Sequence, residues 1–425
     1  MTFVNETTTS YPSNLALKGL VFIHRHGARS PIFTNKHFPS IASWSHCHSL
    51  PGFYKAFHTI KNDHVELDMD FHGDNALKEL EAQLEKVKGI DCFPGQLTDE
   101  GKKGMESIGK EFRTKYVEQL GFLPKNWNVE SSDISLRSTN YLRTIESLQF
   151  LLNGIYPNIK SNGIPKVIVK ESKDESMYPN PTCDSMTADT KVLRDAYNEK
   201  HQHRLISVLN PLSSWHTMEN TSNANKSYRL YDMLSCLMGN SVDFPEGVTE
   251  NHYGELESLT VDLWARLYEK DDHFTRRAIG RFLPEMVKSF QDLYQSKPNT
   301  PKLSIFSGHD STLIPILISM KAFQGSYPRF GANITLEYFE NISPISKLFS
   351  PKESYIRMLY NGTPLKIPAC QAKGSHYKKD ESLCTFQAFM KQVENMSLTE
   401  SEYQAACHSD VKVVPLHHTI FFEFL

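Results

Sequence analysis

The chain has 425 residues, of which 39% are hydrophobic and 22% charged, a balance that is ordinary for a globular protein. The formal net charge of −3 comes from interspersed acidic and basic residues, so the sequence lacks the basic field that gathers nucleic acid. No apolar stretch reaches the roughly 18 to 20 residues of a membrane helix, and the N-terminus lacks the features of a signal peptide. We expect no nucleic-acid partner and no membrane span, whereas the compartment and the oligomeric state stay open.

Strand and helix signals alternate in the first part of the chain. The apolar run at residues 20–23 predicts a buried strand. Thr98 predicts the start of an amphipathic helix, because two acidic residues follow it and apolar residues then recur at helical spacing. Residues 129–136 predict a second strand, and residues 142–152 predict the helix that follows it. This repeated passage from strand to helix is typical of an α/β fold.

Helical patterning dominates the middle of the chain, and strand signals return near its end. A short strand is predicted at residues 166–170, and residues from about 186 to 296 then show almost only helical spacing. Further strands are predicted at residues 303–306, 334–339 and 355–360, so distant parts of the chain complete one sheet. This order of elements predicts a mainly parallel sheet flanked by helices.

A first polar cluster follows the strand at residues 20–23. Here Arg25 and Arg29 flank His26 on a loop that also contains glycine and proline. Guanidinium groups match phosphate oxygens and stay charged at any relevant pH, whereas a neutral imidazole is a competent nucleophile toward phosphorus. The loop therefore predicts a phosphate site, and a solvated basic loop is the alternative from residue types alone.

A second polar cluster, at residues 307–312, stands between two apolar runs, as at a strand-to-helix corner. Such a corner offers backbone N–H groups to an anion. The pKa of Asp310 would rise beside a phosphate, so that its carboxyl group could donate a proton. Taken alone, a helix-capping role for Asp310 is the commoner use of such a residue.

A third cluster lies at the end of the second predicted strand. Arg137 ends that strand, and Arg143 follows one turn into the next helix. Either arginine could complete a cage around the same phosphate, although helix arginines are usually surface groups.

Four motifs, in this order along the chain, resemble those of the histidine acid phosphatases: RHGARSP at 25–31, GQLTDEG at 95–101, RSTNYLRT at 137–144 and GHD at 308–310. The resemblance runs from about residue 17 to residue 407. Within the family, the chain looks most similar to the lysophosphatidic acid phosphatases, which share RHGARSP and RSTN. Asn140 stands where most other branches have Asp, which weakens any inference from those branches about the alcohol side of the substrate.

The resemblance implies a phosphoglycerate-mutase-like α/β fold in a single domain at residues 15–410. We expect an α/β core of residues 15–35, 95–180 and 270–410, a lid insertion at 36–94 and a helical subdomain at 181–269.

Carried over by position, the resemblance makes His26 the nucleophile that forms a phosphohistidine and Asp310 the proton donor. It implies four ligands for the phosphate: Arg25, Arg29, Arg137 and His309. The reaction would be two in-line transfers, first to His26 and then to water. No metal or cofactor is required, because the arginines and His309 offset the charge on the phosphate oxygens.

The implied substrate is a phosphate monoester, and the closest branch implies lysophosphatidic acid, which would give monoacylglycerol and phosphate. A broader acid phosphatase acting on nucleotides, phosphoproteins or sugar phosphates is one alternative. A non-catalytic binding protein is the other, and the complete set of family residues argues against it.

The seven cysteines form no CxxC pair of the kind that binds zinc. By resemblance, two pairs are expected to be bridged: Cys183 with Cys407, and Cys370 with Cys384. Cys236 lacks the partner that it has in related proteins, so we expect a free thiol there. Cys47 and Cys92 match no family pair and either bridge each other or stay reduced.

Overall fold

The computed structural model describes residues 11–33, 47, 59–60, 67–87, 92–128, 132–157, 163–215, 221–344 and 352–408. Within these residues the strands are β1 (Leu15–Arg25), β2 (Thr59–Ile60), β3 (Leu67–His72), β4 (Ile134–Ser138), β5 (Lys166–Lys170), β6 (Leu303–Gly308), β7 (Asn333–Asn341), β8 (Ser354–Tyr360), β9 (Thr363–Pro364), β10 (His376–Tyr377) and β11 (Asp380–Thr385). The strands predicted at 20–23, 129–136, 166–170, 303–306, 334–339 and 355–360 correspond to β1, β4, β5, β6, β7 and β8, although residues 129–131 lie outside the described residues.

The α-helices of the described residues are α1 (Ala76–Val87), α2 (Asp99–Arg113), α3 (Leu142–Ile155), α4 (Asp184–Lys200), α5 (Gln202–Leu209), α6 (Asn223–Gly239), α7 (Glu250–Lys270), α8 (Asp272–Ile279), α9 (Phe282–Met286), α10 (Lys288–Tyr294), α11 (Asp310–Ser319), α12 (Phe386–Met396) and α13 (Glu400–His408). The predicted cap of α2 is confirmed, because the Thr98 side chain accepts a hydrogen bond from the N–H of Gly101. None of the helices in this part of the chain is long and apolar enough to cross a membrane.

One mixed sheet carries the fold, in the strand order β10, β11, β8, β7, β1, β6, β4, β5, β3, β2, with β9 paired to β8. The strands from β1 to β3 along this order pair in parallel, whereas β7, β8, β11 and β10 pair antiparallel beyond β1. The prediction of a mainly parallel sheet was therefore wrong for this second half. Parallel pairing needs a long crossover between strands, and the alternation of strands with long helices stops after α11.

Alternating side chains of the central strand face two different layers of helices. Leu20 and Phe22 pack in one core with residues of α2 and α3, such as Ile145. Val21 and Ile23 point the other way and pack with residues of α9 to α12, and this second face holds the side chains of Phe282 and Phe290 as well. The sheet is therefore buried on both faces near the ends of β1, β6 and β4.

The predicted insertion at residues 36–94 contributes to the sheet layer. Its strand β3 pairs in parallel with β5, and helix α1 follows directly. Much of the remaining insertion lies outside the described residues. Helices α4 to α8, which cover most of the predicted helical region at 181–269, enclose a separate apolar core that includes Tyr228 and Leu256.

Three disulfides join Cys183 with Cys407, Cys370 with Cys384, and Cys47 with Cys92. The first of these bridges ties the start of α4 to α13. Cys236 is a buried free thiol.

Candidate active site

The polar clusters lie together because their strands are neighbours. In the parallel part of the sheet, Arg25 lies opposite Gly308, and Ser138 lies opposite Ser307. The carboxyl ends of β1, β6 and β4 therefore meet at one edge, which is where α/β folds bind ligands. The N–H of His26 donates to the carbonyl oxygen of Gly308 at 3.0 Å, which holds the first two loops against each other.

Glycine is needed in the loop after β1 because helix α2 passes very close to it. A Cβ atom on Gly27 would lie 2.5 Å from the carbonyl oxygen of Gly101, and one on Gly101 would lie 2.0 Å from the carbonyl oxygen of Ala28. The hydroxyl of Thr98 also contacts the Ala28 carbonyl oxygen, at 3.1 Å. The glycines of RHGARSP and GQLTDEG therefore let the first turn of α2 pack on the loop that carries His26.

His26 is 2% exposed and has its tautomer set by the backbone. Its Nδ1 lies 2.9 Å from the carbonyl oxygen of Gly27. Because a carbonyl oxygen only accepts hydrogen bonds, Nδ1 carries the proton and Nε2 keeps its lone pair. Burial lowers the pKa of His26 well below 6.5, and the positive charges of Arg143 and Arg25 lower it further. Both effects favour the neutral form of the ring, which is the form that a nucleophile needs.

Arg25 joins the loop of His26 to the start of α11. Its Nη2 lies 2.7 Å from Oδ2 of Asp310, and its Nη1 donates to the carbonyl oxygen of Pro328. The guanidinium carbon lies 4.4 Å from the centre of the Phe330 ring, and that ring also stands beside His26 at 5.7 Å. The Asp310 side chain is 17% exposed and that of Arg25 only 6%, so the carboxylate stands at the open side of the cluster.

Arg29 is held by a carboxylate from the helical region. Its Nη2 donates to Oδ1 of Asp232 at 2.6 Å, and Oδ2 of Asp232 accepts from the N–H of Ile32 at 3.2 Å. Burial opposes the charge on Arg29, but Asp232 outweighs it and raises the pKa of the guanidinium above its usual value. Nothing local in the sequence indicated Asp232, because it lies on α6, far along the chain from the loop that it orients.

His309 contacts the third arginine of the site. Nη2 of Arg143 lies 3.4 Å from Nδ1 of His309, and Nε2 of His309 lies 2.9 Å from Oγ1 of Thr139. Since arginine only donates, Nδ1 accepts and Nε2 carries the proton. Burial lowers the pKa of Arg143 to about 10, and the nearby charge of Arg29 contributes to this shift. Buried positive charge is thus concentrated here, and a bound phosphate dianion would offset it.

Arg137 does not join this cluster, and the structure corrects its predicted role. Its guanidinium lies 2.5 Å from carboxylate oxygens of both Glu175 and Glu285. Side chains alternate along a strand, so Arg137 points to the face that also holds Phe282, at 5.8 Å, while its neighbour Leu136 packs toward α3. Arg143, in the first turn of α3, is the arginine of this motif that reaches His309.

An aromatic pocket opens next to Asp310. It encloses about 600 Å³ of empty space, its open mouth included, and its polar lining comes from Asp310, Ser311, Thr190 and Arg194. The aromatic side chains that line it come mostly from the helical region: Tyr228, Trp264, Tyr268, Phe274 and Tyr327. The carboxylate of Asp310 therefore borders a cavity whose lining is mostly aromatic and aliphatic.

In the part of the chain that the structure describes, no group of three or more His, Cys, Asp or Glu side chains is arranged to hold a metal ion. The charge of a bound anion would instead face the guanidinium groups of Arg25, Arg29 and Arg143.

A neutral, buried histidine with a free ring nitrogen, enclosed by guanidinium groups at the carboxyl edge of an α/β sheet, defines a class of phosphate-transferring sites. The sequence pattern of the histidine phosphatase superfamily (branch 2) matches residues 16–361, and the chain belongs to that family. The predicted enzyme class, a phosphoric monoester hydrolase of the histidine acid phosphatase type, is confirmed.

Relatives are similar over nearly their whole length. A probable acid phosphatase of Schizosaccharomyces pombe is 25% identical over 93% of this chain and 95% of its own. Lysophosphatidic acid phosphatase type 6 of Homo sapiens is 24% identical over 93% of this chain and 87% of its own. Among solved structures, the phytase of Hafnia alvei matches 94% of this chain and 99% of its own with a TM-score of 0.56 at 14% identity, which shows a shared fold.

Proposed function

We propose that this chain hydrolyses phosphate monoesters of apolar alcohols through a phosphohistidine on His26, with lysophosphatidic acid as the candidate substrate. The observation that carries the proposal is the free Nε2 of His26, since its Nδ1 is bound to the Gly27 carbonyl oxygen and guanidinium groups surround the ring. A phosphate held by these groups would present its phosphorus to a neutral nucleophile.

In the first step, Nε2 of His26 forms a bond to phosphorus while the phosphorus–oxygen bond to the alcohol breaks. Arg25, Arg29 and Arg143 hold the nonbridging oxygens, and His309 contributes a further donor once the phosphate dianion has favoured its protonated form. The protonated carboxyl group of Asp310 gives its proton to the leaving oxygen. Its place in the lining of the aromatic pocket supports this assignment.

In the second step, water attacks phosphorus and the bond between phosphorus and Nε2 breaks. The carboxylate of Asp310, left without its proton by the first step, takes a proton from that water. Inorganic phosphate leaves, and the histidine and the carboxyl group return to their starting protonation states.

The stability of its phosphorus–nitrogen bond in acid and in base distinguishes a phosphohistidine from other phosphorylated residues. Wild-type protein mixed with ³²P-labelled p-nitrophenyl phosphate in the presence of EDTA and quenched with alkali should retain one label per chain, which hot acid then releases. A phosphohistidine is stable to base and labile to acid, whereas phosphoserine shows the opposite behaviour. Label that survives acid, or turnover without any label in His26, would refute the proposed mechanism.

Asp310→Asn should lower kcat/KM most for substrates whose alcohol is a poor leaving group. We expect kcat/KM for glycerol 3-phosphate to fall by about 10²- to 10⁴-fold, because its alkoxide needs a proton. The fall should be much smaller for p-nitrophenyl phosphate, whose phenolate leaves unprotonated. Equal losses on both substrates would show that Asp310 does not act as the acid.

The aromatic pocket supports an apolar alcohol over a sugar or nucleotide. Phe274 and the indole of Trp264 line the same cavity as Asp310 and give it apolar surface, and besides Asp310 its lining contains one further charged residue, Arg194. An acyl chain leaving water for such a cavity gains about 0.8 kcal/mol for each buried methylene group.

The length of the acyl chain should therefore determine how efficiently a lysophosphatidic acid is hydrolysed. In a series of lysophosphatidic acids we expect kcat/KM to rise about three- to fourfold per added methylene until the pocket is filled. Trp264→Ala should reduce this increase per methylene. It should leave kcat/KM for glycerol 3-phosphate unchanged, because that substrate has the same head group without an acyl chain. Val192→Ala is a matched control, because Val192 is 66% exposed. Equal rates across the series would favour the broader acid phosphatase.

A further inference from the structure

The ring of His309 is held by two tyrosines rather than by the phosphate ligands alone. Tyr141 packs edge-on against it with ring centres 5.0 Å apart, and Tyr178 does so at 5.8 Å. These contacts limit rotation of the imidazole about its side-chain bonds. The orientation of His309 therefore depends on what fixes Tyr178, which is itself 2% exposed.

Asn140 fixes the outer end of Tyr178. The phenol donates to Oδ1 of Asn140 at 3.1 Å, and Nδ2 of Asn140 donates to Oε2 of Glu79 at 2.6 Å and to the Ser172 hydroxyl at 2.8 Å. The amide orientation is unambiguous, because a carboxylate only accepts hydrogen bonds. Gln83, one turn after Glu79, also donates to the carbonyl oxygen of Asn140 at 2.7 Å.

The backbone before Tyr178 is fixed from the opposite side. One carboxylate oxygen of Glu175 accepts from the N–H groups of Ser176 and Met177, at 2.8 and 2.7 Å, and the same oxygen pairs with Arg137. Arg137 thus supports the segment that carries Tyr178, although it does not reach the phosphate site.

We propose that Glu79, Asn140 and Tyr178 form a positioning relay through which helix α1 orients His309 for phosphate binding. The relay rests on the proposed function, because it acts on a residue assigned there as a phosphate ligand. Helix α1 lies in the insertion between the first two motifs, so a segment outside the motifs controls the geometry of the site. None of the three residues needs to touch the substrate.

An amide is required at position 140 because Glu79 faces it. Asn140→Asp would place two carboxylates at 2.6 Å, and such a pair shares one proton at low pH and repels when both groups ionise. Two further charged sites are close in the structure or the chain: Glu175 acts electrostatically on Tyr178, and Glu171, which pairs with Lys173, flanks Ser172 in the sequence. The phenol of Tyr178 stays neutral, because burial raises its pKa well above 10.

The test compares Asn140→Asp with wild type across pH. We expect kcat/KM for p-nitrophenyl phosphate to be about tenfold below wild type at neutral pH and close to it near pH 4, where the pair holds a proton.

Glu79→Gln combined with Asn140→Asp restores one donor and one acceptor, so the double variant should stay within about threefold of wild type at every pH. Glu81→Gln makes the same chemical change on the same helix and serves as the matched control. A general folding defect would not produce a ratio that depends on pH in this way.

Binding of inorganic phosphate, measured by calorimetry, reports on the relay separately from turnover. Asn140→Asp should weaken phosphate binding at neutral pH by a factor similar to the change in kcat/KM. In a Tyr178→Phe background, Asn140→Asp should change phosphate binding very little, because the hydrogen bond that links Asn140 to Tyr178 is already absent. Wild-type protein that binds phosphate without turnover would refute the proposed function and leave the relay testable by calorimetry. A pH-independent loss in Asn140→Asp, or one that Glu79→Gln does not rescue, would overturn the relay.

Discussion

Replacing His26 by alanine is expected to lower kcat for p-nitrophenyl phosphate by about 10⁴-fold or more, without loss of the fold. The imidazole supplies the nucleophile, and the second histidine of the site, His309, engages both of its ring nitrogens, with Arg143 and Thr139. The guanidinium groups would still bind phosphate. Phosphate affinity should therefore survive, and it should increase if the ring of His26 occupies part of the volume that the anion needs.

Three measurements distinguish the loss of the nucleophile from misfolding of the variant. Thermal unfolding should show a midpoint within a few degrees of wild type, calorimetry should show retained phosphate binding, and the alkali-stable label should disappear. His408→Ala is the matched control, because this histidine lies on α13 with half of its side chain exposed. Substantial turnover by pure His26→Ala would mean that water or another residue attacks phosphorus directly.

The second large effect is expected from substituting the two arginines of the RSTNYLRT motif, because one substitution should lower activity and the other should lower stability. Arg143→Ala should lower kcat/KM by about 10²- to 10³-fold, as expected when one preorganised donor to the transferring phosphoryl group is lost. It should not destabilise the protein, since burial and Arg29 already disfavour the Arg143 charge in the folded state. Its unfolding midpoint should be equal to or above that of wild type.

Arg137→Ala should instead destabilise the fold. It leaves Glu175, which is fully buried, without its partner, and breaking a buried ion pair in this way costs about 3–5 kcal/mol. Activity per folded molecule should fall much less than in Arg143→Ala. Adding Glu175→Gln should recover part of the lost stability, because the unpaired charge is then removed. Urea denaturation together with kcat/KM at low temperature tests both parts. A folded Arg137→Ala without activity, beside an active Arg143→Ala, would return the ligand role to Arg137.

Local pattern was sufficient for most of the secondary structure. The strand around residues 20–23, the Thr98 cap and the helix after Tyr141 each depend on short-range signals, namely apolar runs, hydrogen bonding at a helix end and helical spacing. The direction of β7 and β8 was not predictable in the same way. Antiparallel pairing with β1 depends on how the chain returns to the sheet after α11, which no local pattern records.

By itself, the sequence determined the family, the loop that carries His26, the corner that carries His309 and Asp310, and the residues near in sequence that accompany them. Only the tertiary structure decided that Arg143 rather than Arg137 reaches the site, that Asp232 holds Arg29, and that Glu79 reaches Tyr178 through Asn140. The physical reason is that a motif specifies which groups are present, whereas their directions are set by the face of the strand, the packing of α3 on the sheet and contacts with helices encoded far away in the chain.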